Sequence, residues 1–205
     1  LYAPALQELS KDRQVIAVNI QGHGRTSLGS REISHVDQGA DMATVIKGIG
    51  FDQVDVIGHS MGGGVAFQFA AQNPAMVGRL VLISTPFGQD GFYPEMLPMQ
   101  AEVGAEMLPM MKQTPMYQSY AAVAPNPDEF PMLLDQMGAF MRKTYDWSAD
   151  VAKLTMPTML VYGDSDMFKP EHEIKFYQLL GGGLKDAGWQ REHMPQKRLA
   201  VIPDA

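Results

Sequence analysis

At 205 residues the chain has room for one sizeable domain, or one domain carrying a subdomain, and its 45% hydrophobic residues can supply a core. A net charge of −7 and a pI near 5.1 argue against a nucleic-acid groove or an anionic membrane surface, and no run of Lys and Arg offsets them. With no Cys there is no disulfide framework, thiolate nucleophile or cysteine metal site. No stretch approaches the roughly 20 apolar residues of a membrane span, and the start LYAPALQELSKDR lacks the basic and apolar regions of a signal peptide. The expectation is a soluble, cytoplasmic protein with no nucleic-acid and no membrane partner.

In chain order, Val- and Ile-rich runs at residues 14–20, 53–58, 79–84, 158–163 and 198–202 read as strands separated by helical patterns. Near-continuous apolar strands alternating with helices predict an α/β fold whose mostly parallel sheet is flanked by helices on both faces. Residues 37–49 predict a helix with Met42, Ile46 and Ile49 on one face. Pro170 opens another, with Glu171 and Glu173 in its first turn and Gly181-Gly182-Gly183 at its end. Between residues 86 and 147 the texture changes: eight of the chain's 14 Pro lie there, nine of its 16 Met lie between Met96 and Met141, and no strand pattern is visible. Pro-broken helices with an adaptable apolar face predict a lid inserted into the core, although a Met stripe also suits ordinary packing. The expected organisation is core at 1–85, lid at 86–147 and core again at 148–205.

The second apolar run, Val54-Asp55-Val56-Ile57, leads into Gly58-His59-Ser60-Met61-Gly62-Gly63-Gly64 and then a helical stretch. G-x-S-x-G alone would occur by chance in roughly one chain of this length in fifteen, at about 7% per position. In a strand, turn and helix context it reads as a nucleophile elbow. Ser60 must sit at a strained turn, where Gly58 and Gly62 are expected to avoid Cβ collisions with the neighbouring helix and strand. The backbone N–H of Met61, at the helix start, is then aimed where an oxyanion would form.

Together with Gln21-Gly22-His23-Gly24-Arg25-Thr26 after the first run and Gly163-Asp164-Ser165-Asp166 after the fourth, this elbow resembles the α/β-hydrolase fold family over nearly the whole chain. The resemblance implies a catalytic triad in the order Ser, acid, His, with Ser60 as nucleophile and Asp166 as acid. Asp164 and Asp90 are alternative acids, and a helix cap near Pro170 is the bland reading of Asp166. His23 falls in a loop that resembles a site-lining turn, and His59 flanks the nucleophile. His35 precedes a helix, His172 is expected to be an exposed helical residue, and His193 is expected at the surface.

The family's base lies just after its last strand, and the chain's final residues, RLAVIPDA, are that strand and the start of its loop. The catalytic histidine is therefore expected beyond Ala205. The resemblance also implies three strands ahead of residue 14, one of which would lie between the first two visible runs and leave a gap of about 10 Å. The chain is thus expected to be part of a longer hydrolase. The leading functional expectation is a serine hydrolase of a small apolar ester or lactone, because a serine nucleophile disfavours chemistry that runs through an aspartyl ester. C–C bond hydrolysis and perhydrolysis use the same site. A silent ligand-binding relative and an inactive fragment are the alternatives. No cofactor is expected: the glycine run lacks the Lys of a phosphate loop, and the Glu171-His172-Glu173 triplet is read as a diverging helix-surface set, not a metal site. Oligomeric state is left open by the sequence.

Overall fold

The structure, a computed structural model, describes residues 3–205. Four parallel strands, β1 Val54–His59, β2 Val77–Ile83, β3 Thr158–Gly163 and β4 Lys197–Ile202, form one sheet in the order β1-β2-β3-β4. The core helices are α1 Ala3–Leu9, α2 His35–Gly48 and α3 Met61–Gln72, with α8 Ser148–Val151 and α9 Pro170–Leu179 toward the end of the chain. Between β2 and β3 lie short helices α4 Met96–Ala101, α5 Leu108–Met111, α6 Pro115–Ala121 and α7 Phe130–Met141, together with single turns of 3-10 helix. No helix among the described residues is long and apolar enough to cross a membrane.

Local chemistry sets the helix boundaries. Ser34 caps α2 by accepting the Asp37 N–H on its Oγ, and Asp37 and Lys47 sit at the ends of the helix where the dipole favours their charges. Pro170 supplies the first residue of α9, and Gly181 takes a positive φ of 92° just past its end. The expected apolar stripe of α2 is only partly found. Ile46 is buried and Met42 is half-buried against the core, but Ile49 is the exposed C-cap, and the buried residues include Gln38, Gly39 and Ala43 as well.

The ladders sort the sheet's side chains into two faces. Leu80 and Leu82 of β2 lie level with Thr158 and Leu160 of β3, and these four are fully buried. Leu80, Leu82 and Leu160, together with Tyr162, share one core cluster with Ala43 and Ile46 of α2, Phe67 and Phe69 of α3, Val151 of α8 and Phe176 of α9. The opposite face carries Ile57, Val81, Met159, Val161, Ala200 and Ile202, none of which is fully buried.

Residues 14–20 do not form the expected strand. They carry no regular secondary structure and no ladder partner, Ile16 and Val18 are exposed, and β1 is therefore an edge of the sheet among the described residues. The inserted helices form a second cluster, in which Phe130, Leu133 and Leu134 of α7 pack on Leu28 and Ile33 with Met107, Met111 and Met137 around them.

Candidate active site

β1 ends at the centre of the chemistry. Ser60 follows it with φ 51° and ψ −122°, a left-handed conformation that a side chain rarely adopts, and α3 begins at the next residue. Its N–H donates to Ile83 O at 2.9 Å, and its C=O accepts from Gly63 and Gly64 N–H at 2.8 and 3.1 Å. The backbone is therefore pinned on both sides, while Oγ makes no hydrogen bond among the described residues. Met61 is the first helical residue, so its N–H has no acceptor within α3.

The glycines divide differently from expectation. A Cβ on Gly58 would collide with Gly62 O and lie 2.7 Å from both Ala66 Cβ and Gly63 Cα, so that position does require glycine. Around Gly62, by contrast, nothing lies within 4 Å. The close approach belongs to Gly63, against Thr85 Oγ1, and to Gly64, against the His35 ring.

A cavity of about 380 Å³ opens over Ser60. Ser60, Met61, Gly64, Thr85 and His35 form one wall. Met137, Phe140 and Met141 of α7 with Tyr145 and Trp147 form another, and Phe92, Met167 and Phe168 contribute from the loops. The lining is mostly apolar, and its size suits a small organic molecule. Lys143 at the wall is paired with Glu32 at 2.7 Å, which links the inserted segment to the core.

Asp166 stands after β3, two strands from the elbow in the ladder order. Its Oδ2 accepts from Ser84 Oγ at 2.7 Å and Gly163 N–H at 3.3 Å, and its Oδ1 accepts from Met167 N–H at 2.7 Å. Asp164 is exposed. Asp90 is engaged with α9 instead, its Oδ1 lying 3.3 Å from His172 Nδ1 and its Oδ2 4.0 Å from Lys175 Nζ.

The histidines correct several expectations. His172 is 4% exposed, stacked on Phe87 with ring centroids 4.0 Å apart. Its Nε2 accepts from Phe87 N–H at 3.2 Å, so Nδ1 carries the proton and faces Asp90. Glu173 is buried as well, so the Glu171-His172-Glu173 triplet is not a surface set, and no group of three metal-ligating side chains occurs among the described residues. His23 donates from Nδ1 to Gln21 O at 2.9 Å, within its own turn, and is not among the cavity-lining residues. His59 ends β1 and also stays out of the cavity lining, and His193 is exposed.

His35 is the one histidine in the cavity wall. It packs edge-on against Phe140 and Trp147, at 4.6 and 5.0 Å between centroids, and burial pushes its pKa down to about 4 against the opposing pull of the Met61 backbone. Its Nε2 is buried against α3 without a hydrogen bond among the described residues. Sequence reading set His35 aside as a residue preceding a helix and passed over Ser84. The signal available for Ser84 was a polar residue at the carboxyl end of a parallel strand, where α/β sheets gather their sites.

A serine in the turn between a parallel strand and a helix, under a cavity lined in part by α7 from the segment between β2 and β3, accords with one fold family. A family profile described as "alpha/beta hydrolase fold" matches residues 2–137, and the chain belongs to that family. It is 36% identical over 77 residues to an uncharacterized protein of Mycobacterium tuberculosis, a stretch covering 38% of this chain and 23% of that one. It is 26% identical over 184 residues, 77% of this chain and 61% of the relative, to a 2-hydroxy-6-oxononadienedioate/2-hydroxy-6-oxononatrienedioate hydrolase of Cupriavidus pinatubonensis. The chain thus spans less than two thirds of the length of these curated relatives. Among solved structures it is similar to MGS-M2, an alpha/beta hydrolase enzyme from a Medee basin deep-sea metagenome library, with a TM-score of 0.71 at 19% identity, covering 99% of this chain and 76% of the other.

Proposed function

We propose that the protein is a serine hydrolase acting on a small apolar carboxylic ester or lactone. The observation that carries this reading is Ser60 itself: a non-glycine residue held left-handed by three backbone hydrogen bonds, at the floor of an apolar cavity. Such a conformation costs on the order of 1–3 kcal/mol and persists where the surroundings over-determine it, commonly at active sites. Ser60 Oγ attacks the acyl carbon, the Met61 N–H receives the developing oxyanion, collapse of the tetrahedral intermediate expels the leaving alkoxide with a proton from the imidazole, and water then attacks the acyl-serine, releasing the acid and free Ser60. Asp166 orients the imidazole that takes and returns the serine proton. The inserted segment 86–147 acts as a lid whose Met and aromatic side chains fit the acyl group.

Of the five histidines His35 alone lines the cavity, and its Nε2 is buried against α3. The family resemblance places the base in the loop after the last strand, and the base is assigned to residues that follow Ala205 on that ground. In support, Ser165 N–H donates to Ala205 O at 3.4 Å, which brings the end of the chain beside the Asp166 loop. A second reading, hydrolysis of a C–C bond next to a ketone, is favoured by the similarity to the oxononadienedioate hydrolase and uses the same serine.

The test is the intact mass of the full-length protein before and after a fluorophosphonate probe, with Ser60→Ala alongside. One adduct on the wild type and none on Ser60→Ala is expected, with ester turnover down at least about 10³-fold in the variant. An unlabelled wild type would favour a non-catalytic binder. Labelling without ester turnover, but with cleavage of a vinylogous diketone, would favour the second reading.

A further inference from the structure

We infer that Ser84 is a positioning residue for the acid, and that the β2 terminus Ile83-Ser84 ties nucleophile and acid into one frame; the inference rests on the serine-hydrolase reading above. The two residues act on opposite neighbours. Ile83 O accepts the Ser60 N–H at 2.9 Å on the β1 side, and Ser84 Oγ donates to Asp166 Oδ2 at 2.7 Å on the β3 side. Ser84 N–H meanwhile donates to Val161 O at 2.8 Å, so the bridge is anchored in the β2–β3 ladder and not in a mobile loop.

Ser84 shares a further property with Ser60. Its φ is 46°, the left-handed region that residues with a Cβ avoid. Two serines at the ends of adjacent strands, both left-handed, both tied to the site, point to a shared constraint.

The carboxylate geometry says what the hydroxyl contributes. An ionised carboxylate offers about four acceptor directions. Ser84 Oγ, Gly163 N–H and Met167 N–H occupy three, and all three donors are fixed by sheet or turn. One direction is left for an imidazole N–H, so the acid can hold a histidine in a single orientation. Of the three donors only Ser84 is a side chain, and only it can be removed by substitution without touching the backbone.

The experiment compares wild type, Ser84→Ala and Ser84→Gly in the full-length protein, with active sites counted by probe titration and kcat, KM and the pH profile of kcat/KM measured. Both variants lose the hydroxyl, but glycine accepts φ 46° freely, which separates the hydrogen bond from backbone strain. Expected is a drop in kcat per titrated site of roughly tenfold in both, with KM within about twofold. The acid limb of kcat/KM moves to higher pH, because a carboxylate without the Ser84 donor concentrates its charge on the imidazolium and favours it. Wild-type kcat and an unmoved limb in both variants would overturn the inference. So would fewer titratable sites at unchanged kcat per site, which marks a purely structural role. A wild type that takes no adduct sinks the serine-hydrolase reading itself and this role with it, whereas a labelled wild type matched by Ser84→Ala sinks only the role.

Discussion

Glu173 illustrates how one buried side chain can set a pH dependence that the chemistry does not use. It sits in the first turn of α9, 5% exposed, with no cation paired to it among the described residues. Burial raises its pKa to about 7, and the negative charge of Asp166 adds to the shift. A carboxyl whose folded pKa exceeds its unfolded value supports the fold below about pH 4.5 and loses that support as pH rises through 7. Replacing Glu173 with Gln should therefore stabilise the protein at pH 8 by on the order of 1–3 kcal/mol and leave pH 4 nearly unchanged. Urea midpoints at the two pH values decide it, and an equal shift at both would mean the effect is not ionisation. His35 and His172 act in the opposite sense. Burial is the main cause that lowers both to about 4, so their support is complete above about pH 6.5 and is lost as pH falls toward 4. In a His172→Asn variant the slope of stability between pH 6.5 and 4 should flatten by up to about 1.4 kcal/mol per unit; an unchanged slope would contradict the neutral, Phe87-bonded imidazole.

At the scale of elements, the contact between α2 and α3 turns on small residues that hydropathy does not weigh. A Cβ on Gly39 would lie 2.8 Å from Phe69 N and 2.9 Å from Gln68 C, backbone atoms of α3 that cannot swing aside. Helix propensity favours Ala over Gly by about 1 kcal/mol. Overpacking opposes it by roughly 1–3 kcal/mol, and here packing wins, so Gly39→Ala should lower the melting temperature. Gly48, the last residue of the same helix, has nothing within 4 Å, and Gly48→Ala should raise it by the propensity gain alone. Opposite signs from the same substitution, read by thermal unfolding, test the packing argument. If both stabilise, the helices are free to separate. This also explains what the sequence did and did not reveal of α2. Its existence, with Met42 and Ile46 facing the core, follows from period, whereas Gln38, Gly39 and Ala43 on the packed face are dictated by how closely α3 approaches. The elbow was legible for a similar reason: Gly58, Ser60 and the helix after them are contiguous. Asp166 was named from its own G-x-x-D stretch through the family resemblance, whereas Ser84 meets it across 82 positions of sequence and His35 reaches the cavity from another helix, so no local pattern could pair those two with Ser60.

For the whole molecule, the two faces of the sheet are unequal. One carries the shared core of α2, α3, α8 and α9, and the other presents Ile57, Met159 and Ile202 at 44%, 38% and 45% exposure, beside the unpaired edge of β1. The alternating strand-helix pattern predicted cover on both faces, because period and apolarity report that a strand has two apolar sides without saying what covers each. Contiguous apolar surface beside an open strand edge favours association of chains. Residues 1–205 expressed alone should therefore self-associate with rising concentration, seen by light scattering and by a concentration-dependent elution volume. Ile57→Thr with Met159→Thr should weaken that association, since both are exposed apolar residues of that face, and β-branched threonine keeps strand propensity. The helical signal in circular dichroism should not change. Self-association unaffected by the pair would point to the β1 edge. A chain that stays monomeric throughout would mean that the half-exposed face is tolerated as ordinary surface.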